Sequence, residues 1–453
     1  MQSALIAARR VRMFFTIALI LYAVAFLLLA LLPGYLGFSS SQAFSFTAKD
    51  GWCTSSIQGF GVHCFGDFYY SLRFANLDAP WSTDLFAYPP LSLLFFKPFA
   101  FWVAHDQLSR LPLIVYMLLS IIALLIPAIH TYKSGRLKNF QAAALAALSL
   151  MAAPALMAID RGNNQLILVP MVYFFCLGIL ERRTRSAFIW GILLVLFKPQ
   201  MIVLGAIFLV AREWKTFFKW IFSALALFLL SFLLYPKGVL SNFKDYLHQI
   251  DAYQNSAIPG SITPTNLSIA NMWSWWYDHA ISSTGPIPTP SPFFPSYVTV
   301  VIGLLVALSL LFIGRFRGSI VNLFVILSLP ILLPNTSFAY YLCLLLPLFL
   351  IILADTLARG EPGKRFLRKE SGIESAPLFS LFASRSNSIL LSGTFFLLFI
   401  PWPLPWGFIP SFHDESWAAI GMNWIIGQFI FLGLFISLVF TGSIQAIDKR
   451  ANR

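Results

Sequence analysis

The most constraining feature of this chain is a series of long apolar segments separated by short polar ones. The first of these segments, residues 13–32, contains no charged side chain. About 20 apolar residues are needed for a helix to cross the hydrocarbon core of a bilayer. The whole chain is 58% hydrophobic and only 11% charged, whereas about a quarter of the residues of a soluble domain are charged. The sequence therefore predicts an all-α polytopic membrane protein.

The positions of the basic residues predict how the chain crosses the membrane. Its 31 lysine and arginine residues outnumber its 18 acidic residues, and the formal net charge is +13. The basic residues concentrate in loops on one side of the predicted spans, which indicates the cytoplasmic side rather than a nucleic-acid-binding surface. Arg9, Arg10 and Arg12 precede the first apolar segment and place the N-terminus in the cytoplasm. Alternation of the loops places the C-terminus there too and gives about twelve spans.

One apolar segment does not fit this alternation as a span. Residues 88–104 and 111–131 lie between an outer loop and a basic cluster at 133–138, and only one of them can cross if that cluster is cytoplasmic. Residues 88–104 include prolines and a lysine, so we predict that they form an interfacial or re-entrant helix on the outer face. The chain is then one integral-membrane domain over residues 1–453. Its predicted outer loops are 33–110 and 236–296, and its cytoplasmic loop is 358–388.

The cysteines fall into two pairs of different character. Cys176 and Cys343 lie in apolar segments, where packing explains them. Cys53 and Cys64 lie in the first outer loop, where the compartment is oxidising and the sequence is compatible with a disulfide or with two free thiols. No cysteine spacing resembles a zinc site, and we assign no metal role to the histidines.

Two features predict that polar residues reach the outer membrane surface or lie below it. Residues 140–159 are expected to form one span that ends in an outer turn at 160–165 (DRGNNQ). Residues 187–197 and 201–211 are each too short to cross ~30 Å of hydrocarbon. Lys198, which lies between them, is therefore expected at the head of two half-length helices.

Twelve polar residues are predicted near this surface, and they combine carboxylates, cations, amides and a tyrosine. This combination suits transfer of a sugar from a lipid-linked phosphosugar. A carboxylate would take the proton from the attacking hydroxyl, cations would hold the phosphate leaving group, and a carboxylate would stabilise an oxocarbenium-like sugar. The twelve are Asp67, Asp84, Lys97, Asp160, Arg161, Asn163, Asn164, Gln165, Lys198, Gln200, Asn335 and Tyr340.

Purely structural roles remain open for several of these side chains. Asp67 would then be a helix cap or the ion-pair partner of Arg73, and Asp84 would cap the helix that follows it. Arg161 would pair with Asp160 within the turn. The lysine between the two half-length helices would extend to the membrane interface. The aromatic cluster at 273–277 is compatible with an interfacial belt or with a platform for a sugar.

Four short motifs, in this order along the chain, resemble glycosyltransferase family 87. They are Asp67-Phe68, a YPPL corner that begins at Tyr88, an RGNNQ turn that begins at Arg161, and Lys198-Pro199. The similarity extends over residues 13–341. It implies a GT-C fold of about twelve transmembrane helices plus a juxtamembrane helix on the outer face. It also implies a polyprenyl-phosphate-mannose donor and no metal or other cofactor.

The resemblance also implies roles for individual residues. Asp67 matches the catalytic base of the family, the corner at Tyr88 matches the start of the outer-face helix, and Lys198 matches a lysine near the donor phosphate. The chain departs from the family pattern at two places. The first affects which amide matches the family motif, and the second affects the expected identity of the sugar. The chain reads GNNQ at 162–165 where the family commonly has Gly-Gln, and it has tyrosines at 340–341 where the family tends to have a histidine nearby.

The sequence therefore predicts a membrane enzyme that moves a hexose, mannose by the resemblance, from a polyprenyl-phosphate donor to a hydroxyl of a glycolipid or glycan. Asp67 is the predicted base, and the reaction is expected on the non-cytoplasmic face of the cell membrane. The predicted substrate-binding residues are Arg161, Asn164, Gln165, Lys198, Gln200, Tyr88 and Tyr340, of which Arg161 and Lys198 hold the phosphate.

Two alternatives remain at this point. One is a transporter or flippase of polyprenyl-linked sugars, and the other is an enzyme-like scaffold without activity. A transporter needs a site near the bilayer midplane that is reachable from both sides. The candidate residues all fall on one face, which favours the enzyme.

Overall fold

A computed structural model describes most of the chain. The described residues are 2–36, 65–82, 86–105, 111–135, 137–257, 266–273, 296–314, 319–334, 337–358, 385–402 and 422–440. Within these ranges the regular structure is helical, apart from one isolated antiparallel bridge between Asn266 and Phe338. The predicted all-α class is confirmed for this part of the chain.

Apart from a short helical stretch at 269–273, the α-helices within these ranges are named in chain order. They are α1 Gln2–Leu36, α2 Gly66–Ala75, α3 Pro90–His105, α4 Leu111–Lys133, α5 Asn139–Leu150, α6 Ala153–Arg161, α7 Gln165–Leu180, α8 Thr184–Phe197, α9 Ala206–Val210, α10 Trp214–Ser231, α11 Val239–Ala257, α12 Ser296–Phe312, α13 Ser319–Leu332, α14 Leu346–Ala358, α15 Arg385–Leu398 and α16 Met422–Phe440. Short 3₁₀ segments at Pro199–Gly205, Phe232–Leu234 and Ala339–Leu344 connect or extend some of them.

Helix lengths are consistent with a membrane protein but do not establish the number of spans. Among the described residues, Leu111–Lys133 and Trp214–Leu234 are long and apolar enough to cross a bilayer. The bent pair α5 and α6 adds a third if it forms one span. The further apolar stretches in the same ranges, which include Met13–Leu28 of α1 and Ile426–Phe440 of α16, contain only 10–17 residues each. The count of about twelve spans therefore stays a prediction.

Several predicted segments agree closely with the structure. The segment predicted at 88–104 is the helix Pro90–His105, and its neighbour predicted at 111–131 is Leu111–Lys133. The break predicted between two half-length helices is also present. Helix α8 ends at Phe197, and the chain continues as the 3₁₀ segment Pro199–Gly205.

Three details of the predicted layout need correction. The uninterrupted span predicted at 140–159 is two helices, α5 and α6, which meet at an angle of 53°. The outer turn predicted from residue 160 begins later, because α6 continues through Arg161. The region 236–295, predicted as a loop, contains the 19-residue helix α11. The polar composition of this region does not predict a helix. The buried side of α11 includes Asn242, Tyr246 and Gln249.

The bend between α5 and α6 is fixed by a distant part of the chain. Pro154 sits in the first turn of α6, where a proline is accepted because the first amides have no intrahelical partner. The backbone N–H of Ala153 donates instead to the carbonyl of Phe399, with N and O 2.7 Å apart. The hydroxyl of Tyr22 donates to the same carbonyl at 3.0 Å. Helix α1 and the end of α15 therefore both hold the bend.

The described core has two parts. The larger cluster contains α7 at its centre, with Val169, Val172 and Cys176 fully buried. The smaller one is largely aromatic and joins α2, α3 and α4 to the end of α10 and to α11. In it Phe74 stacks on Phe86 with ring centroids 4.2 Å apart. The polar site described next lies where residues from both clusters meet.

Candidate functional site

The first turn of α2 presents a carboxylate at a helix N-terminus. Phe65 has left-handed backbone geometry (φ 45°), and its N–H donates to the carbonyl of Asp160 at 3.1 Å. This bond ties the start of α2 to the end of α6. Asp67 follows in the first turn of α2, where the helix dipole favours a negative charge.

A turn at Gly162 follows α6 and is followed directly by three polar residues, Asn163, Asn164 and Gln165. Gly162 ends α6 in the left-handed region (φ 67°), and a Cβ there would lie 2.6 Å from Phe68 Cβ. The N–H groups of Gly162 and Asn163 donate back to the last turn of α6, each at 2.9 Å. Helix α7 then begins at Gln165. Only glycine fits this turn without strain and without moving α2.

Asp67 is held by a two-pronged ion pair with Arg161. The arginine Nε donates to Oδ2 and its Nη2 donates to Oδ1, both at 2.9 Å. The side-chain amide of Asn163 donates to Oδ2 at 2.5 Å. Asp67 and Arg161 are 6% and 7% exposed, so water does little to screen the pair. The partner of Asp67 is thus Arg161, and the alternative that named Arg73 is wrong.

Aromatic rings form the wall behind the arginine. The guanidinium carbon of Arg161 lies 4.9 Å from the ring centroid of Phe338 and 5.3 Å from that of Tyr340. Those two rings stack on each other with centroids 5.8 Å apart. Asn266 secures this segment, because its Oδ1 accepts from the N–H of Ser337 at 2.9 Å and its backbone bridges to Phe338. The guanidinium plane is therefore fixed by both packing and charge.

A second cation lies at the break between α8 and the following 3₁₀ segment. Lys198 is only 5% exposed. Its Nζ donates to the hydroxyl of Tyr341 at 3.3 Å and lies 5.1 Å from the ring centroids of both Tyr341 and Tyr88. Gln200 donates to the same hydroxyl at 3.4 Å. No carboxylate forms an ion pair with this ammonium in the described part of the chain.

Tyr88 joins the carboxylate to the lysine. Its hydroxyl accepts a hydrogen bond from Asn163 Nδ2 at 3.1 Å, and its ring faces Lys198. The backbone carbonyl of Tyr88 accepts from the indole N–H of Trp81 at 2.9 Å, which fixes the corner before α3. Burial and, next, the nearby Asp67 carboxylate raise the pKa of Tyr88 well above its usual value. The hydroxyl therefore keeps its proton at neutral pH.

Two buried amides at the start of α7 leave hydrogen-bonding capacity unused. Asn164 donates to Ser92 Oγ at 3.1 Å, but its Oδ1 has no partner within the described residues. Both side-chain polar atoms of Gln165 are likewise without a partner there, although the residue is fully buried. A buried polar atom without a partner costs about 1–3 kcal/mol. A ligand hydroxyl would remove that cost.

The structure brings some of the predicted residues into direct contact and leaves others elsewhere. Arg161 contacts Asp67 and Tyr340, Lys198 contacts Tyr88, and Gln200 contacts Tyr341. Asn164 and Gln165 begin the adjoining helix α7.

Other predicted residues lie apart from this group or cannot be placed. Lys97 is exposed on α3, and it forms none of the ion pairs found among the described residues. Asp84, Asn335, Cys53, Cys64 and most of the aromatic cluster at 273–277 lie outside the described residues.

The sequence does not single out three side chains of the site. Asn163 contacts Asp67, Tyr341 contacts Lys198, and Phe338 covers the guanidinium of Arg161. Asn163 is among the polar candidates, but no local signal separates it from Asn164. The signal for the aromatic pair is the motif at 338–341, where three aromatic residues follow Asn335, which is predicted near the outer membrane surface.

The site thus combines a carboxylate, two cations and amides with some unpaired polar atoms in one buried region. The described part of the chain contains no group of three or more His, Cys, Asp or Glu residues placed to hold a metal ion. That the reaction needs no metal stays a prediction from the resemblance.

Comparisons with known proteins give one family. Neither the curated proteins nor the solved structures yielded a match. The model of glycosyltransferase family 87 matches residues 86–334, which is more than half of the chain. The matched region includes Tyr88, Arg161, Lys198 and Gln200 but neither Asp67 nor Tyr340. The chain belongs to glycosyltransferase family 87 and is a membrane glycosyltransferase.

Proposed function

We propose that the protein transfers a hexose, mannose by its resemblance to the family, from a polyprenyl-phosphate donor to a hydroxyl of a glycolipid or glycan. The reaction takes place on the non-cytoplasmic side of the membrane, in a GT-C fold. One observation supports this function most directly. Lys198 is a buried cation that has no carboxylate partner among the described residues, and it contacts a tyrosine that reaches the buried Asp67 site through Asn163.

The surroundings of the lysine support a phosphate as the group it binds. Burying an ammonium without a counter-charge costs several kcal/mol unless a ligand compensates it. The groups that contact Lys198 are a hydroxyl and two ring faces, which stabilise the cation only in part. A phosphate on the donor would complete the site. When the sugar leaves, charge grows on that phosphate, and a fixed cation in a dry site stabilises it.

Asp67 is the proposed general base. It accepts the proton of the acceptor hydroxyl while that oxygen forms a bond to the anomeric carbon of the sugar. The bond between that carbon and the phosphate oxygen breaks, and polyprenyl phosphate leaves with the electron pair. A single displacement of this kind inverts the configuration at the anomeric carbon.

The amides and aromatic side chains of the site are proposed to bind the sugar. The unpaired atoms of Asn164 and Gln165 would accept and donate hydrogen bonds with sugar hydroxyls. Gln200 lies beside Lys198 through their shared contact with Tyr341. The rings of Tyr88 and Tyr340 offer apolar faces for the sugar ring.

The test is a transfer assay in detergent. Wild-type protein, Asp67→Asn and the matched control Asp78→Asn are incubated with radiolabelled polyprenyl-phosphate-mannose and lipids extracted from the native membrane. Asp78 is exposed and lies outside the site, so its variant controls for the loss of an acidic residue. Label that moves into a glycolipid with wild type and Asp78→Asn, but not with Asp67→Asn, supports the proposal. Donor binding without transfer by any of the three contradicts it and favours transport of the lipid-linked sugar.

A further inference from the structure

The two cations of the site differ in what already binds them. Arg161 directs Nε and Nη2 at the two oxygens of Asp67, and its guanidinium lies against Phe338 and Tyr340. A planar guanidinium matched to a carboxylate at two points is a strong and directional pair. A donor phosphate that took the Nε–Nη2 edge of Arg161 would have to compete with both bonds. A phosphate that bound Lys198 would displace no carboxylate, because the described residues provide none for this ammonium.

We infer that Arg161, together with Asn163, is a positioning residue for Asp67, and that the donor phosphate is bound by Lys198 instead. This assignment rests on the proposed function, and it replaces the role at the phosphate that the sequence predicts for Arg161. It also gives Asn163 a role that the sequence does not suggest.

The hydrogen bonds on Asp67 indicate where the acceptor binds. A carboxylate offers about four acceptor positions, two on each oxygen. Arg161 and Asn163 occupy two positions on Oδ2, and Arg161 occupies one on Oδ1. The remaining position on Oδ1 receives the acceptor hydroxyl. Because Arg161 and Asn163 hold the carboxylate from the other directions, they determine the angle at which it takes the proton.

The two cations should then affect different kinetic parameters. Loss of the bidentate ion pair between Arg161 and Asp67 misorients the base and lowers kcat, but it leaves the contact between Lys198 and the phosphate intact. Loss of the ammonium at Lys198 weakens binding of the phosphate. A role of Arg161 in folding alone would reduce the number of binding sites and would leave the kcat of the remaining ones unchanged.

The experiment measures binding and turnover separately. Farnesyl phosphate is the binding probe, and its affinity and stoichiometry are measured by calorimetry for purified wild type, Arg161→Lys, Asn163→Ala and Lys198→Met. The exposed residues Arg73 and Lys97 supply matched controls as Arg73→Lys and Lys97→Met. Transfer from polyprenyl-phosphate-mannose gives kcat and the donor KM for the same proteins.

We expect Arg161→Lys to bind farnesyl phosphate within about twofold of wild type and to lose about 100-fold in kcat, the scale of a misplaced catalytic group. We expect Asn163→Ala likewise to keep its affinity for farnesyl phosphate and to lose kcat, but by less than Arg161→Lys. Lys198→Met loses roughly 10- to 100-fold in affinity, as for a hydrogen bond to a charged group.

An affinity loss of about tenfold or more in Arg161→Lys or Asn163→Ala, the size expected for a lost charged contact, overturns the inference. An unchanged kcat in both variants overturns it as well. Asn163→Ala keeps the test decisive if Arg161→Lys does not fold. Failure of the wild-type protein to transfer sugar would overturn the proposed function instead, and the binding comparison would still decide which cation holds the phosphate.

Discussion

The two halves of the site differ in how completely the protein satisfies its own charges. In the carboxylate half, Asp67, Arg161 and Asn163 neutralise and hydrogen-bond one another. In the lysine half, Lys198 and Gln200 share one tyrosine hydroxyl and have no carboxylate partner in the described part of the chain. The charges of the first half are balanced without a ligand, whereas that of the second is not.

This difference separates charges that the described residues neutralise from a charge that they leave without a counter-ion. A buried ion pair with several hydrogen bonds becomes expensive only when one partner is removed. A buried ammonium without a counter-charge is expensive from the start, and proteins retain such groups where function requires them. Substitutions in the two halves should therefore change stability in opposite directions.

The largest effect is expected when the carboxylate half is broken. Asp67→Ala leaves the guanidinium of Arg161 buried without this counter-ion, so we expect the free energy of unfolding to fall by about 3–5 kcal/mol. Thermal unfolding in detergent, followed by intrinsic fluorescence, measures the change. The exposed Asp78→Ala is the control and should stay within about 0.5 kcal/mol of wild type. A loss as small as the control's would show that Arg161 finds another partner.

A smaller loss is expected at the turn that positions this half. Gly162→Ala would introduce left-handed strain and a Cβ only 2.6 Å from Phe68 Cβ. Gly135 has nearly the same backbone angle (φ 68°), and a Cβ added there would meet nothing within 4 Å, so Gly135→Ala isolates the strain from the clash. We expect Gly162→Ala to be less stable than Gly135→Ala by about 1–3 kcal/mol, the cost of overpacking. Equal losses in the same unfolding assay would mean that α2 moves aside freely.

The lysine half should respond with the opposite sign. Lys198→Met removes a buried charge and keeps most of the side-chain volume, so we expect stability to stay the same or to rise by about 0.5–2 kcal/mol. The same unfolding assay, with Lys97→Met as the exposed control, detects the change. Destabilisation by more than the control would mean that the ammonium has a stabilising partner, and the contrast between the two halves would fail.

The smallest effect is expected at the residue that joins the halves. Tyr88→Phe removes one hydrogen bond from Asn163, which keeps its contact with Asp67, so kcat should fall by less than about tenfold, or about 1 kcal/mol. Because its raised pKa keeps the Tyr88 hydroxyl protonated, the substitution should not shift the pH–rate profile between about pH 6 and 9. A shifted alkaline limb would assign a titrating role to this tyrosine.

The helical framework is largely predictable from the sequence, and the exceptions have identifiable causes. Apolar length and proline positions predict α3 and α4 nearly to the residue, because both depend on local composition. The bend before α6 is not predicted, although Pro154 lies at it. The alanine-rich segment 140–159 has no break in hydropathy, and hydropathy alone therefore predicts one continuous helix. Helix α11 is not predicted because its sequence is polar, and the contacts that bury it are distant in sequence: Gln249 accepts from the N–H of Phe86, and Tyr246 packs on Trp81.

The site is predictable only where local sequence determines it. Lys198 stands out because a broken apolar segment leaves it between two short helices. Asp67 and Arg161 are 94 positions apart in the sequence, and no local sequence pattern predicts a contact between residues so far apart. Asn163 and Asn164 are adjacent and chemically identical, yet the turn at Gly162 sends one amide to Asp67 and the other to Ser92.

The carbonyl of Phe399 links the site to parts of the chain that lie outside the family match. It accepts hydrogen bonds from Ala153 and from Tyr22, and so fixes the bend that delivers Arg161 to Asp67. Neither Tyr22 nor Phe399 lies within the region that matches the family, residues 86–334. A recombinant protein trimmed to those boundaries would lose Asp67 itself as well as two of the groups that orient its partner. The site and the contacts that hold it therefore extend from the first helix to at least residue 399.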